Sequence, residues 1–179
     1  LYRFCALKTL ENKNTYNEKF INKIANSITL KKLQNKKLYS PEVAKLSSII
    51  AKKPYVRKAL KGFQINFIKK SKLVVVEGRD IGSKIMPNAD LKLFFTCSTK
   101  EKAKRRLKEF KNLDKKITLK QVEKALIQRD KEDTKRKISP LIMTKNAVLV
   151  DTTKLTIKQM EAKLTNLVKN SIKKKYGNL

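Results

Sequence analysis

An α/β domain with a parallel sheet flanked by helices is the fold class this sequence predicts, on three observations. Apolar, β-branched runs read as strands buried on both faces: LVVVEGRD from Leu73, LKLFFTC from Leu91 to Cys97, and AVLVD from Ala147 to Asp151. Segments between and after them have helical starts, because Ser98-x-x-Glu101, Thr118-x-x-Gln121 and Thr156-x-x-Gln159 each fit a capping box, in which two orphan amides are satisfied reciprocally. Strands alternating with helices imply parallel pairing, and such sheets bind ligands beyond the carboxyl ends of their strands. At 179 residues the chain is long enough for one domain with a real core.

The N-terminal third is helical by pattern. Leu1 to Leu10 reads as the tail of an amphipathic helix, and Glu11 to Tyr39 is polar and lysine-rich, with a short helix presenting Phe20, Ile24 and Ile28. Ser40 before Pro41 is an N-cap followed by proline at the first helical position, and Val43, Leu46 and Ile50 continue the stripe. Pro54 interrupts that stripe, and Val56, Leu60, Phe63 and Phe67 predict a second helix.

Composition narrows the function. Cys5 and Cys97 are the only cysteines and histidine is absent, so a zinc site or disulfide framework has almost no ligands, and a reducing cytoplasm is expected. No run of about 18 apolar residues offers a transmembrane helix. LYRFCALKTL has no signal-peptide layout and starts at Leu1 rather than methionine, so a fragment is expected. The net charge of +30 fits a nucleic-acid partner, since many cations release counterions from a phosphate backbone. The charge is spread from Lys8 to Lys175, however, and only seven of the 45 basic residues are arginine. A lysine-rich background is expected to keep arginine where a planar fork must meet phosphate or carboxylate.

Those arginines single out the candidate site. On the helix from Leu119, the stripe Val122 and Leu126 continues, at steps of three and four, into Arg129, Asp133 and Arg136. Charges thus replace apolar residues on the inward face, while Lys124, Lys131 and Lys135 supply the outward side. A solvated ion pair is the plain alternative, worth only about 0.3–0.5 kcal/mol at this spacing. An inward pair of arginines with one carboxylate suits an anionic, hydroxyl-bearing ligand such as a nucleotide. Glu77-Gly78-Arg79-Asp80 ends the first apolar run, where a glycine turn would present Arg79 and Asp80 at the strand's carboxyl edge; a turn with a local ion pair is the alternative. Arg105 and Arg106 precede the polar segment Lys108 to Lys116, which is either a solvated face or the start of a mobile lid.

With these residues on the page, the chain resembles the bacterial cytidylate kinases. The matching strings are EGRDIG with PNADLKLFFTCS, then KAKRRL, QRDKEDTKRKISPL and AVLVDTT, in order and at family spacing. SPEVAKLSSIIAKKPYVRKAL resembles the segment that closes on the base, and Tyr2-Arg3 resembles the family's YR pair. All seven arginines fall in matched segments, and only about Glu11 to Tyr39 does not match. The resemblance implies a P-loop nucleoside-monophosphate kinase fold, incomplete at the N-terminus, in one domain over 1–179, with an NMP-binding region at 11–70 and a lid with a CMP-contacting helix at 98–140. It implies transfer of the γ-phosphoryl group of ATP to CMP and dCMP, with Mg²⁺, by a monomer that has no membrane or specific nucleic-acid partner.

By the same resemblance, Ser48, Arg57 and Asp80 face the cytosine ring, where a carboxylate can accept from the exocyclic amine that uracil lacks. Arg129 and Asp133 meet the pentose, Arg3, Arg79 and Arg136 hold phosphate oxygens, and Arg105 and Arg106 belong to the lid on the ATP side. Arg136 and Arg129 carry the catalytic role, which in phosphoryl transfer is positioning and charge neutralisation rather than covalent chemistry.

Two departures qualify the resemblance. The family begins with a strand, a GxxxxGK[ST] loop and a helix, and its missing strand would lie between the partners of Leu73–Val76 and Leu91–Phe95. Here the four glycines are Gly62, Gly78, Gly82 and Gly177, so the chain alone is expected to be inactive. The small extra β-sheet of many relatives is reduced before Ser40. The alternatives are a kinase for another acceptor such as UMP, a basic RNA-binding protein, and a nucleotide-binding pseudoenzyme.

Overall fold

Residues 1–13, 15–111 and 117–177 are described by the structure, a computed structural model. They divide into two units, Leu1–Arg79 with Arg129–Pro140, and Asp80–Gln128 with Leu141–Leu179.

The first unit is helical. α1 (Tyr2–Glu11) turns Phe4, Cys5, Ala6 and Leu7 into the core. α2 (Glu18–Asn26) starts at Asn17, whose side chain accepts from the Phe20 amide at 2.9 Å. Its buried stripe, Ile21, Ile24 and Ala25, is continued just beyond the helix by Ile28 at the i, i+3, i+4, i+7 spacing, whereas Phe20 packs only partly against the core. Two 3-10 turns, Lys31–Gln34 and Lys36–Tyr39, carry the chain on, and Leu38 of the second is buried.

α3 (Pro41–Ile50) begins as expected, with proline in its first turn and the Ser40 hydroxyl accepting from the Val43 amide at 3.3 Å. α4 (Pro54–Lys69) follows. α1 packs on α3 and α2 on α4, closing over Val43, Ile50, Val56 and Leu60.

One expectation fails. Leu73–Val76 forms no strand, and Leu73 and Val75 are 91% and 99% exposed. β-branched residues favour a pleated, half-buried surface, but a strand exists only where a neighbouring backbone pairs with it. Among the described residues no strand pairs with this run.

The second unit holds the parallel sheet. β1 (Lys92–Thr96) pairs with β2 (Ala147–Asp151) in parallel, from Lys92 opposite Ala147 to Thr96 opposite Asp151. Both were expected from their apolar runs, and the connection between parallel strands must be long enough to hold helices. α5 (Thr99–Lys111) and the start of α6 (Leu119–Lys135) fill it, packing Ala103, Phe110 and Val122 together. α7 (Ile157–Tyr176) closes the chain.

All three N-caps form, but only two as full capping boxes, because the Ser98 amide donates to Thr153 Oγ1 at 2.9 Å. Ser98 accepts from the Glu101 amide at 3.3 Å, and the Thr118–Gln121 and Thr156–Gln159 pairs exchange bonds in both directions. A π-helical turn, Ile81–Ile85, follows Asp80. No helix among the described residues is long and apolar enough to cross a membrane.

Two outcomes test this packing. Leu60 is fully buried, so Leu60→Ala should lower the unfolding free energy by about 2–5 kcal/mol in a denaturant titration. Burial pushes the Cys5 thiol from 9.0 up to about 11. The neutral thiol therefore favours the fold, a contribution complete below pH 9 and lost as pH rises toward 11. At pH near 8 a thiol reagent should label the half-buried Cys97 first and reach Cys5 only on unfolding.

Candidate functional site

The charged stripe of α6 folds inward. From Arg129 onward the helix belongs to the first unit, and there Asp133 is buried with a side chain only 6% exposed. Its Oδ1 accepts from Arg136 Nη1 at 2.9 Å, and its Oδ2 lies 3.0 Å from Arg79 Nε and 3.8 Å from Arg129 Nε. Arg79 also reaches Asp130 at 4.0 Å. Three guanidinium groups thus converge on one carboxylate, with a second carboxylate at the edge. The plain alternative, a solvated pair, does not describe a carboxylate and an arginine each 6% exposed.

Arg136 is held from two sides. Its Nε donates to the Ser139 carbonyl at 2.6 Å while Nη1 holds Asp133, and both use the fixed fork of the guanidinium. Ser139 has φ of 50°, a left-handed conformation uncommon outside glycine, which turns its carbonyl back toward Arg136. Beside this arginine, Lys52 Nζ pairs with Glu132 at 2.9 Å, and Lys52, Glu132, Lys135, Arg136, Lys137 and Ile138 line a cleft of about 470 Å³.

Of the residues expected to meet the base, Ser48 and Arg57 lie in the same unit. Ser48 sits half-buried on α3 with its hydroxyl donating to the Ala44 carbonyl at 3.4 Å. Arg57 is buried on α4; its Nε donates to the Ala51 carbonyl at 2.7 Å, and its guanidinium stands over the Tyr2 ring at 5.3 Å. Arg3, in the first turn of α1, stands over the Tyr39 ring at 5.1 Å. Asp80 is buried in the second unit, its carbonyl accepting from the Lys84 amide at 2.8 Å as the π-helical turn begins.

The two arginines expected in the lid belong to the second unit. Arg105 donates from Nη2 to the Thr152 carbonyl at 2.8 Å and pairs through Nε with Glu101 at 3.0 Å, so it reaches the carboxyl end of β2. There the Thr152 amide and hydroxyl both donate to the Thr96 carbonyl, tying the two strand ends together. The Thr153 hydroxyl and amide donate to Asp151 and hold its carboxyl below the usual range. Arg106 pairs with Glu109 and stands over the Phe110 ring at 4.5 Å. Of the lid expected over Lys108 to Lys116, positions 108–111 continue α5, and 112–116 lie outside the described residues.

Sequence reasoning missed Asp130, the Lys52–Glu132 pair and the rings of Tyr2 and Tyr39. Asp130 borders Arg129 and carried a signal; the others meet partners distant in sequence. Among the described residues no group of three or more His, Cys, Asp or Glu side chains could hold a metal. Asp130 and Asp133 face guanidinium groups, which suits an anion and not a cation.

The sequence matches the cytidylate kinase family over residues 1–170. The chain belongs to the cytidylate kinase family. That membership implies a P-loop nucleoside-monophosphate kinase fold, with which the helices and small parallel sheet are consistent. The cytidylate kinases of Thermotoga petrophila and Thermotoga maritima are each 40% identical over 133 residues, 74% of this chain and 60% of theirs. That of Rickettsia akari is 36% identical over 149 residues, 83% of this chain and 68% of its own. The chain therefore spans about 60% of the length of the Thermotoga relatives.

Removing the central carboxylate should test the cluster. Asp133→Asn removes the carboxylate that three guanidinium groups share and should cost about 2–3 kcal/mol, less than a fully buried pair because Arg79 is 39% exposed. Added phosphate should restore part of that loss, read as the shift in denaturant midpoint with and without the anion.

Proposed function

We propose that this chain is the acceptor-binding and lid portion of a phosphotransferase that moves the γ-phosphoryl group of ATP to CMP and dCMP, giving CDP in pyrimidine nucleotide metabolism, in the cytoplasm. One observation carries the reading: Arg79, Arg129 and Arg136 converge on the buried Asp133. Anionic oxygens need several donors at once, and arginine meets phosphate through paired N–H groups. Asp133 accepts from a pentose hydroxyl, Arg129 steadies the same sugar, and Arg3, Arg79 and Arg136 take the phosphate. Arg57, Ser48 and Asp80 read the base, with Asp80 accepting from the cytosine amine.

Residues 11–70 then act as the region that receives the nucleoside monophosphate, and 98–140 as the lid and the acceptor-contacting helix, in a monomer. Arg105 and Arg106 serve the donor phosphates. ATP brings Mg²⁺, which neutralises phosphate charge when bound; the carboxylates of this cluster do not suit that ion. The catalytic share of Arg129 and Arg136 is to align the acceptor oxygen and spread developing charge. The 179 residues contain no GxxxxGK[ST] pattern, so binding of CMP belongs to this chain and transfer needs a donor cradle in addition.

The deciding experiment titrates CMP and UMP against the chain at fixed salt. Tighter binding of CMP supports the reading. Indifference to both, with RNA affinity that falls steeply as salt rises, would assign the function to the +30 charge instead.

Two variants test the roles. Arg136→Lys keeps the charge but cannot hold both Asp133 and the Ser139 carbonyl, so CMP affinity should fall about tenfold or more. Asp80→Ala should weaken CMP while sparing UMP, and an unchanged ratio of the two dissociation constants would remove Asp80 from base reading.

A further inference from the structure

Lys52 pairs with a glutamate that is far from it in sequence and adjacent to the buried carboxylate of the cluster. The lysine sits in the turn between α3 and α4, where the backbone is fixed. The amides of Ala51, Lys52 and Lys53 donate to the carbonyls of Ser47, Ile49 and Ile50 at 3.1, 3.1 and 3.0 Å, and Pro54 starts the next helix with a restricted φ. The same turn orients an arginine expected on the base, since the Ala51 carbonyl accepts from Arg57 Nε at 2.7 Å.

The other end of the pair is held as firmly. Glu132 precedes Asp133 on α6, and its carbonyl accepts from the Arg136 amide at 3.1 Å. The side chains of Asp133 and Arg136, both buried, meet at 2.9 Å, so this turn of helix cannot move without moving the cluster. Lys52 Nζ lies 2.9 Å from Glu132 Oε2, both residues line the cleft beside Arg136, and both belong to the first unit.

With side chains 45% and 28% exposed, the pair adds little to stability. What it fixes is a separation. On the proposed function the base meets Ser48 and Arg57 at the α3–α4 end, while the pentose and phosphate meet Asp133 and Arg136 at the α6 end. Two partial sites held at the right distance make the second contact of one ligand nearly intramolecular. Lysine suffices for this task, because one ammonium meets one carboxylate and no second direction has to be set.

We infer that Lys52 is a positioning residue for CMP, which acts through Glu132 to hold the base-reading turn at a set separation from the Asp133 cluster. The inference rests on the CMP-binding reading and adds to it a residue that need not touch the nucleotide.

The test measures dissociation constants of the full chain for CMP and for ribose 5-phosphate, which has the sugar and phosphate without the base. Lys52→Met keeps the stem and removes the charge. It should weaken CMP about two- to fivefold, the range of a partly exposed ion pair, and leave ribose 5-phosphate unchanged, because a ligand that meets only the cluster does not need the separation. Lys52→Arg keeps the pair and should bind CMP as the wild type does. In a Glu132→Gln background, Lys52→Met should have no further effect, because the two act as one unit. Melting temperatures check that each variant is folded.

Unchanged CMP affinity in Lys52→Met, or a Lys52→Arg chain as weak as Lys52→Met, would overturn the role of Lys52 while the binding reading stands. An equal loss for ribose 5-phosphate would do the same, since it would mark the lysine as a plain attraction for anions. So would a full Lys52→Met effect in the Glu132→Gln background. A wild-type chain that binds CMP no better than ribose 5-phosphate would overturn the binding reading and this inference together.

Discussion

Three arginines do not gather without a reason. Two unit charges 4 Å apart repel by about 4 kcal/mol at an effective dielectric near 20, so a cluster of guanidinium groups disperses unless something of opposite sign stands among them. Asp133 is that group. Its two oxygens face Arg136 on one side and Arg79 with Arg129 on the other, and its burial strengthens each contact. The course of α6 and of the chain just beyond it follows from placing this carboxylate. α6 must be capped at Thr118, apolar through Leu126 and charged on the same stripe afterwards, and the chain beyond it must turn at Ser139 to return a carbonyl to Arg136.

Much of this was legible in the sequence, for a physical reason. Helical periodicity and capping are local, so the caps at Ser40, Ser98, Thr118 and Thr156 and the Arg129–Asp133–Arg136 stripe could be read from spacing alone. β1 and β2 were legible because each is a short apolar run whose partner is the other. The run at Leu73–Val76 has the same composition and forms no strand, since β-branched chemistry states a preference and pairing decides the outcome. The contacts that escaped are long-range ones between common residue types. Lys52 is one of 38 lysines, and nothing near it in sequence points to Glu132. Tyr2 is adjacent to Arg3 in sequence yet stacks on Arg57, while Arg3 takes Tyr39.

The choice between arginine and lysine is the point at which composition and structure explain one another. Arg136 donates from Nε to a carbonyl and from Nη1 to a carboxylate, and Arg105 donates to Thr152 from two nitrogens while its Nε meets Glu101. Each bond needs a fixed direction relative to the other, which a planar fork supplies and a rotating ammonium does not. Arg3, Arg57 and Arg106 each stand over an aromatic ring. In a chain where lysine is the ordinary cation, these positions are ones where geometry, not charge, was the requirement.

That distinction bears on what the net charge of +30 does. A diffuse field of exposed lysines draws in any polyanion, and salt screens it over roughly a Debye length of 10 Å. The Asp133 cluster is partly buried, so it is screened less and keeps its geometry as salt rises. On the proposed function the two separate by ionic strength: attraction of anions in general weakens with salt, and discrimination among nucleotides persists. On the proposed function, the lysines set how fast an anion arrives, and the arginines around Asp133 set which one stays.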